Sequence, residues 1–299
     1  MNANDGPAAA GRNIVRPDFW RLGLLGGPGV AASPSPDMHR AALSRAGLKG
    51  SYEAMSVPAE ELGDTVARLA AEGWHGLNVT APHKVAVMKF LSGVSPEAEA
   101  VGSVNTLVPA GDGSYFGHNT DARGFAGAYQ GEASLLAGTG ALVLGAGGAA
   151  RAAAAALMSL GMSVKISARK KESAVLLADS FELGTVGWEE LNEREPFDLV
   201  VNATSGSSLS DFAAVPRPRL AGRALVVDLN YARENNYFLA LAGENGSIFR
   251  DGLAMLAFQA CLSFALWTGF EAGLTVFFNA LRKRYRRPGP TPAAAAPDR

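Results

Sequence analysis

The chain is poor in cysteine and histidine: one Cys, Cys261, and four His in 299 residues. A lone thiol excludes an internal disulfide framework and leads us to expect a reducing compartment. His39, His75, His83 and His118 share no metal-ligand spacing with that Cys, so no metal is expected. Excess charge of one sign is absent too, because 27 Lys and Arg face 28 Asp and Glu for a net charge of −1. Neither nucleic acid nor a membrane surface is therefore the expected partner. Residues 1–17 carry charges and no continuous apolar run, so no secretory signal is read and the expected location is cytoplasmic. The most apolar stretch, Leu253 to Gly269, is interrupted by Gln259 and Ser263 and falls short of about 18 clean apolar residues. It predicts a buried helix. No segment of roughly 20 to 50 residues repeats.

What is present is a core. With 48% hydrophobic and 18% charged residues, the chain is globular, and its length fits about two domains. The 35 glycines follow no three-residue period, which places them in turns and close backbone contacts. Residues 1–17 read as a flexible arm and 288–299, rich in Pro and Ala, as a disordered tail. The cations from Arg282 to Arg287 read as a solvated helix end that complements the helix dipole.

Between these tails strands and helices alternate. Leu22 to Gly26 and Gly76 to Val79 read as short strands, and Met38 to Ala46 and Leu62 to Ala71 as amphipathic helices. Past residue 138 the alternation tightens, with strands at Ala141 to Leu144, Ser163 to Ser167, Asp198 to Ala203 and Ala224 to Leu229, and a small-residue helix at Ala149 to Leu160. The fold class is α/β, and the second half has the pattern of a doubly wound nucleotide-binding domain.

Gly145-Ala146-Gly147-Gly148-Ala149-Ala150 follows one of these strands and opens a helix. Such a loop lets backbone approach a pyrophosphate, while the helix N-terminus offers free N–H groups. A tight turn without a ligand is the bland alternative. About 20 residues on, where NAD binders carry an acid, stand Arg169 and Lys170, with no acid before Glu172. Cations there suit a 2′-phosphate, which favours NADP over NAD.

In the first half, Asn78 to Lys84, Ser103 to Thr106 and His118 to Asp121 place polar residues at strand ends. Lys84 and Asp121, brought together, would form an acid–base pair able to move a proton at a hydroxyl that becomes a carbonyl. Taken singly, Lys84 reads as an exposed lysine and Asp121 as a helix cap.

These residues, in this order, resemble the shikimate dehydrogenase family with its quinate/shikimate and aminoshikimate relatives. The likeness runs from about Leu22 to Leu281 and rests on Ser33-Pro34-Ser35-Pro36 with His39, Asn78-Val79-Thr80 through Lys84, Val104-Asn105-Thr106 and Asn119-Thr120-Asp121. The glycine loop, Asn202-Ala203-Thr204, Asp228-Leu229-Asn230-Tyr231 and Asp251-Gly252 through Gln259 complete it. The resemblance implies a substrate-binding α/β domain over 18–121 and 251–287, with the closing helices returning to it, and a Rossmann NADP-binding domain over 122–250.

It also implies roles. Lys84 and Asp121 would be the catalytic pair. Ser33 and Ser35 would bond a carboxylate with Tyr231 nearby, and Asn78, Thr80, Asn105 and Gln259 would hold ring hydroxyls. Gly145, Ala146, Gly147, Gly148, Ala149, Arg169, Lys170, Asn202, Thr204 and Gly252 would line the cofactor. The implied reaction is hydride transfer between NADP and the ring C3 hydroxyl of shikimate, by a monomer or homodimer. Against the family pattern, the segment Gly26 to Ala32 is one residue longer and lacks a His before the first Ser. That keeps open a paralogue acting on quinate or an amino analogue, with NAD as the alternative cofactor. A non-catalytic sensor, using 282–287 as a contact surface, is a third reading.

Overall fold

The short apolar runs of the sequence become the strands of two sheets, and the longest one becomes a buried helix. The computed structural model describes residues 16–133, 136, 138–206, 208–231 and 235–285. The expected arm, apart from residues 16 and 17, and the expected tail lie outside them, as do residues 286 and 287 of the cation run.

The first sheet has six strands: β1 (Trp20–Gly26), β2 (Gly50–Ser56), β3 (Gly76–Val79), β4 (Gly93–Val94), β5 (Thr106–Pro109) and β6 (Tyr115–His118). Their order is β2-β1-β3-β5-β6-β4. β1 runs parallel to β2 and β3, whereas β5 is antiparallel to β3 and β6. Central β1 is almost wholly buried, as expected of a strand covered on both faces. One face carries α2 (Leu62–Ala71), whose Leu62, Val66 and Leu69 meet Leu25, Leu77 and Val79. The short α3 (Pro96–Val101) adds Ala98 to that core. The other face carries α1 (Ser35–Arg45) and two C-terminal helices, α8 (Leu253–Thr268) and α9 (Leu274–Arg284).

The second sheet is wholly parallel: β7 (Gly140–Leu144), β8 (Ser163–Ser167), β9 (Gly184–Thr185), β10 (Phe197–Asn202), β11 (Leu220–Asp228) and β12 (Ile248–Asp251). Its order, β9-β8-β7-β10-β11-β12, is doubly wound, with the switch point between β7 and β10. α4 (Asp121–Ala133), α5 (Gly148–Ser159) and α6 (Lys171–Asp179) lie on the side of α4's Phe125 and Tyr129, and α7 (Tyr237–Glu244) covers the other. α5 buries Ala150, Ala152, Ala153, Ala154 and Ala156, and such small side chains let a helix lie close to its sheet.

The strands and helices read from the sequence are present with ends shifted by a few residues, and Leu253 to Gly269 forms the buried α8. Among the described residues no helix is long and apolar enough to cross a membrane. One boundary moves. β12 pairs through Asp251 with Asp228 of β11, so Asp251 belongs to the second sheet and the chain crosses back only after it, not between residues 250 and 251.

α4 was not legible because Gly124, Gly127 and Gly131 weaken its helical signal. Two of these glycines have a packing reason. A Cβ on Gly124 would lie 2.9 Å from Gln259 Cβ and 3.0 Å from its backbone nitrogen, and one on Gly127 would lie 2.7 Å from the Phe258 ring. The glycines let α4 and α8 touch backbone to backbone. Gly124→Val is therefore expected to destabilise the fold by about 1–3 kcal/mol through overpacking, read as a lowered denaturation midpoint in urea.

Candidate active site

The ends of β3, β5 and β6 and the start of α4 converge with the glycine loop of the second sheet. Lys84 follows the turn Thr80-Ala81-Pro82-His83 after β3, and three contacts fix that turn. The Val104 N–H donates to the Lys84 carbonyl (2.8 Å), the His83 N–H to the Thr80 carbonyl (2.9 Å), and the buried His83 Nε2 lies 2.8 Å from the Val57 carbonyl. The ammonium of Lys84 donates to Asp121 Oδ2 at 2.6 Å, with side chains only 15% and 4% exposed. Both single-residue readings thus fail. Lys84 is sheltered, and the cap of α4 is Asn119, whose Oδ1 accepts from the N–H groups of Asp121 and Ala122. Asp121 is left free to turn inward and meet the lysine.

Asn105 completes the pair. Its Nδ2 donates to Asp121 Oδ1 (2.9 Å) and Thr120 Oγ1 (2.9 Å) and lies 3.3 Å from Gln259 Oε1. The Thr120 N–H donates to its Oδ1 (2.8 Å), which sets the direction of the amide. Each carboxylate oxygen of Asp121 therefore has its own donor.

Around the pair lies a cavity of about 200 Å³ lined by Ser33, Ser35, Asn78, Thr80, Lys84, Asn105, Asp121, Tyr231 and Gln259, with Leu24, Met255 and Leu256 as apolar wall. Every residue that the resemblance assigned to catalysis or substrate is at this one place. The Ser33 hydroxyl donates to Ser35 Oγ (3.1 Å). Gln259 Nε2 donates to the Leu256 carbonyl (2.9 Å), so the helix's own backbone satisfies part of this buried amide.

A larger groove of about 820 Å³ adjoins the cavity, lined by Gly145, Ala146, Gly147, Gly148, Ala149, Arg169, Lys170 and Thr204. It passes a test of fit for a dinucleotide. Gly145 has φ +117°, and a Cβ there would lie 2.9 Å from the Ala203 carbonyl, whereas a Cβ on Gly147 would meet no atom within 4 Å. Backbone can therefore be approached closely at Gly147. No side chain caps α5, so its first N–H groups stay available for an anion. Arg169 and Lys170 are exposed at the groove's edge.

Two expected cofactor residues fall elsewhere. Asn202 is fully buried behind the groove, where it donates to the Gly206 carbonyl (2.7 Å) and Asp228 Oδ1 (2.8 Å) and accepts from the Thr204 hydroxyl (2.7 Å). It shapes the turn that presents Thr204. Gly252 lines the small cavity, and a Cβ on it would stand 2.1 Å from the Leu229 carbonyl. Burial raises the carboxyl of Asp228 above its ordinary value, while donors from Asn202, Asn230 and Asn236 offset part of this. The same bonds anchor the turn that carries Tyr231.

Behind the cavity lies a layer the sequence reading missed. Tyr52 donates to Asn78 Oδ1 (2.7 Å), and Asn78 Nδ2 donates to the Asn105 carbonyl and Ser263 Oγ (3.1 Å each). Ser263 Oγ in turn lies 2.7 Å from Thr106 Oγ1. Ser263 was reachable from Gln259 by helical i, i+4 spacing. Tyr52 was not, because β2 went unread.

Thr80, Lys84 and Ala149 line both spaces, so an occupant of the groove abuts an occupant of the cavity at the lysine. That juxtaposition defines the class: a dinucleotide-dependent oxidoreductase. Residues 25–107 match the model of the shikimate dehydrogenase substrate binding domain. A shikimate dehydrogenase (NADP(+)) of Thermus thermophilus is 43% identical over 251 residues, covering 83% of this chain and 92% of that protein. One of Shouchella clausii is 37% identical, covering 83% and 93%. A crystal structure of the Thermus thermophilus enzyme in complex with NADP(H) and shikimate superposes with a TM-score of 0.77 at 39% identity, covering 88% of this chain and 99% of that one. The chain belongs to the shikimate dehydrogenase family.

His39 underlies this layer. Its ring is fully buried, lies flat on Tyr52 (4.4 Å, 6°) and meets Trp267 and Phe277. Burial pushes its pKa down from 6.5 to about 3, with Asn78 offsetting a small part. The unfolded chain binds this proton near pH 6.5 and the folded one refuses it until about pH 3, so folded stability falls as pH drops through that window. His39→Phe is expected to remove about 2 kcal/mol of the stability difference between pH 7 and about pH 4.5, measured by thermal melts at the two pH values.

Proposed function

We propose that this protein is an NADP-dependent shikimate dehydrogenase, interconverting shikimate and 3-dehydroshikimate at the ring C3 position. The observation that carries this reading is the sheltered Lys84–Asp121 pair standing where the small polar cavity meets the dinucleotide groove. When bound, NADPH supplies the hydride to the ring carbonyl carbon. The chain's own residues do the rest.

Lys84 gives a proton to the carbonyl oxygen as it becomes an alkoxide, and takes one back in the oxidative direction. Asp121 holds the ammonium in place and stabilises its charge, while Asn105 keeps the carboxylate from rotating. Ser33, Ser35 and Tyr231 receive the carboxylate with neutral hydroxyls, and Asn78, Thr80, Asn105 and Gln259 hold ring hydroxyls. Each such bond matters because a buried polar group left unpaired is costly. Backbone from Gly145 to Ala149 approaches the pyrophosphate, and Arg169 and Lys170 take the 2′-phosphate. The half-buried, single Cys261 supports a cytoplasmic setting, and the protein works as a monomer or homodimer.

A paralogue acting on quinate is the second reading. It is favoured by a further cavity of about 510 Å³ beside Ser33 and Tyr231, with room for an added hydroxyl.

The primary test follows reduced nicotinamide by its near-ultraviolet absorbance, with shikimate and quinate each offered with NADP and NAD. Reduction of NADP by shikimate is expected to dominate; a preference for quinate selects the paralogue, and shikimate binding without turnover a sensor. Lys84→Ala is expected to lower kcat about 10²- to 10⁴-fold with the KM for NADP little changed. Arg169→Ala is expected to raise the KM for NADP about tenfold and leave that for NAD unaltered, which steady-state kinetics with each cofactor will show.

A further inference from the structure

The last turn of α9 reaches the end of the cavity where Ser33, Ser35 and Tyr231 stand. Arg284 donates from one guanidinium nitrogen to Asp37 Oδ2 (2.6 Å) and from the other to the Ala32 carbonyl (2.8 Å). These two partners flank the serines in sequence. Ala32 immediately precedes Ser33, and Asp37 lies in the first turn of α1, which Ser35 opens. One planar fork thus spans the serine turn from both sides, a geometry that a point-charge ammonium could not reproduce.

The next residue, Tyr285, sets its ring edge-on to Tyr231 with centroids 5.9 Å apart and planes at 62°. Tyr231 lines the small cavity, and Tyr285 lines the adjoining one together with Gly27 and Ala32. The loop they border is rich in glycine, with Gly29 at φ +90°, and so loses much backbone freedom on being ordered.

We infer that Arg284 and Tyr285 are positioning residues for the acid-binding end of the site: Arg284 fixes the serine turn, Tyr285 fixes Tyr231, and together they set affinity for the substrate carboxylate. This rests on the proposed role of Ser33, Ser35 and Tyr231. Neutral hydroxyls bind a carboxylate well only when their geometry is already set, since ordering the loop at the moment of binding would subtract from affinity. The pair Arg284–Asp37 is 35% and 39% exposed, and Asp37 keeps Arg40 as a second partner at 3.0 Å. An exposed pair of this kind adds little to global stability. A purely structural role would therefore leave shikimate kinetics untouched.

The test uses the full chain and four variants: Arg284→Met, Tyr285→Ala, Tyr285→Phe and Arg282→Ala. Arg284→Met and Tyr285→Ala are expected to raise the KM for shikimate about three- to tenfold, with kcat and the KM for NADP within about twofold of the parent. Tyr285→Phe, which keeps the ring, recovers most of the lost affinity. Arg282→Ala removes a cation from the same turn and separates local anchoring from overall charge. Unchanged shikimate KM in the first two variants overturns the inference, as does an equal rise in Arg282→Ala or a fall in kcat alone. If the parent binds shikimate by calorimetry without turning it over, the proposed reaction fails while the same ratios in Kd still decide the inference. No binding by the parent overturns both.

Discussion

An ion pair taken out of water has to be satisfied on every side, and the Lys84–Asp121 contact imposes that demand on the whole cleft. Attraction alone does not repay desolvation unless further hydrogen bonds complete the carboxylate. Asn105 supplies the second donor, Thr120 orients Asn105, and Asn119 takes over the capping that would otherwise draw Asp121 away. Asn119 is itself held by the Ser103 carbonyl and hydroxyl. Much of the polar sequence between residues 103 and 121 is thereby accounted for by one charge pair.

The packing serves the same end from outside. α8 lies against the first sheet through Ala257, Ala260, Phe264 and Trp267, yet its Met255 belongs to the core of the second. Together with α4, to which it is joined by glycine contacts, it makes the floor of the cleft common to both sheets. Gln259 stands on that floor, which explains how a residue far along the chain reaches Asn105.

The legibility of this molecule in its sequence followed the chemistry of each segment. Strands buried on both faces, such as β7 and β10, announced themselves as apolar runs, and the glycine loop marked its own helix. Asn78, Lys84, Asn105 and Asp121 were legible because polar residues at strand ends are conspicuous, whereas Ser33, Ser35, Tyr231 and Gln259 were assigned to the cleft only through the family resemblance. Segments whose local preference opposes their state were not: α4 with its glycines, and β2, whose Gly50-Ser51-Tyr52-Glu53 lacks β-branched residues. Tyr52, hidden in β2, and Ser263, masked by apolar neighbours, went with them. Asn202 and Gly252 stand in the right motifs, but a motif does not say that the Asn202 side chain turns behind the groove or that the Gly252 backbone packs on Leu229 beside the smaller cavity.

Gly148 makes a demand that the cofactor groove alone does not explain. A Cβ at this position would lie 2.8 Å from Lys84 Cβ and 2.9 Å from its Cδ, so the bare backbone of α5 is what the stem of the lysine rests against. The constraint comes from the opposite half of the molecule. An engineer who grafted onto this scaffold a dinucleotide loop from an unrelated dehydrogenase, keeping the glycines that face phosphate but bringing a larger residue here, would preserve the nucleotide cradle and dislodge the lysine. The two halves are therefore not interchangeable parts, and a chimera of them must match at this one unadorned α-carbon.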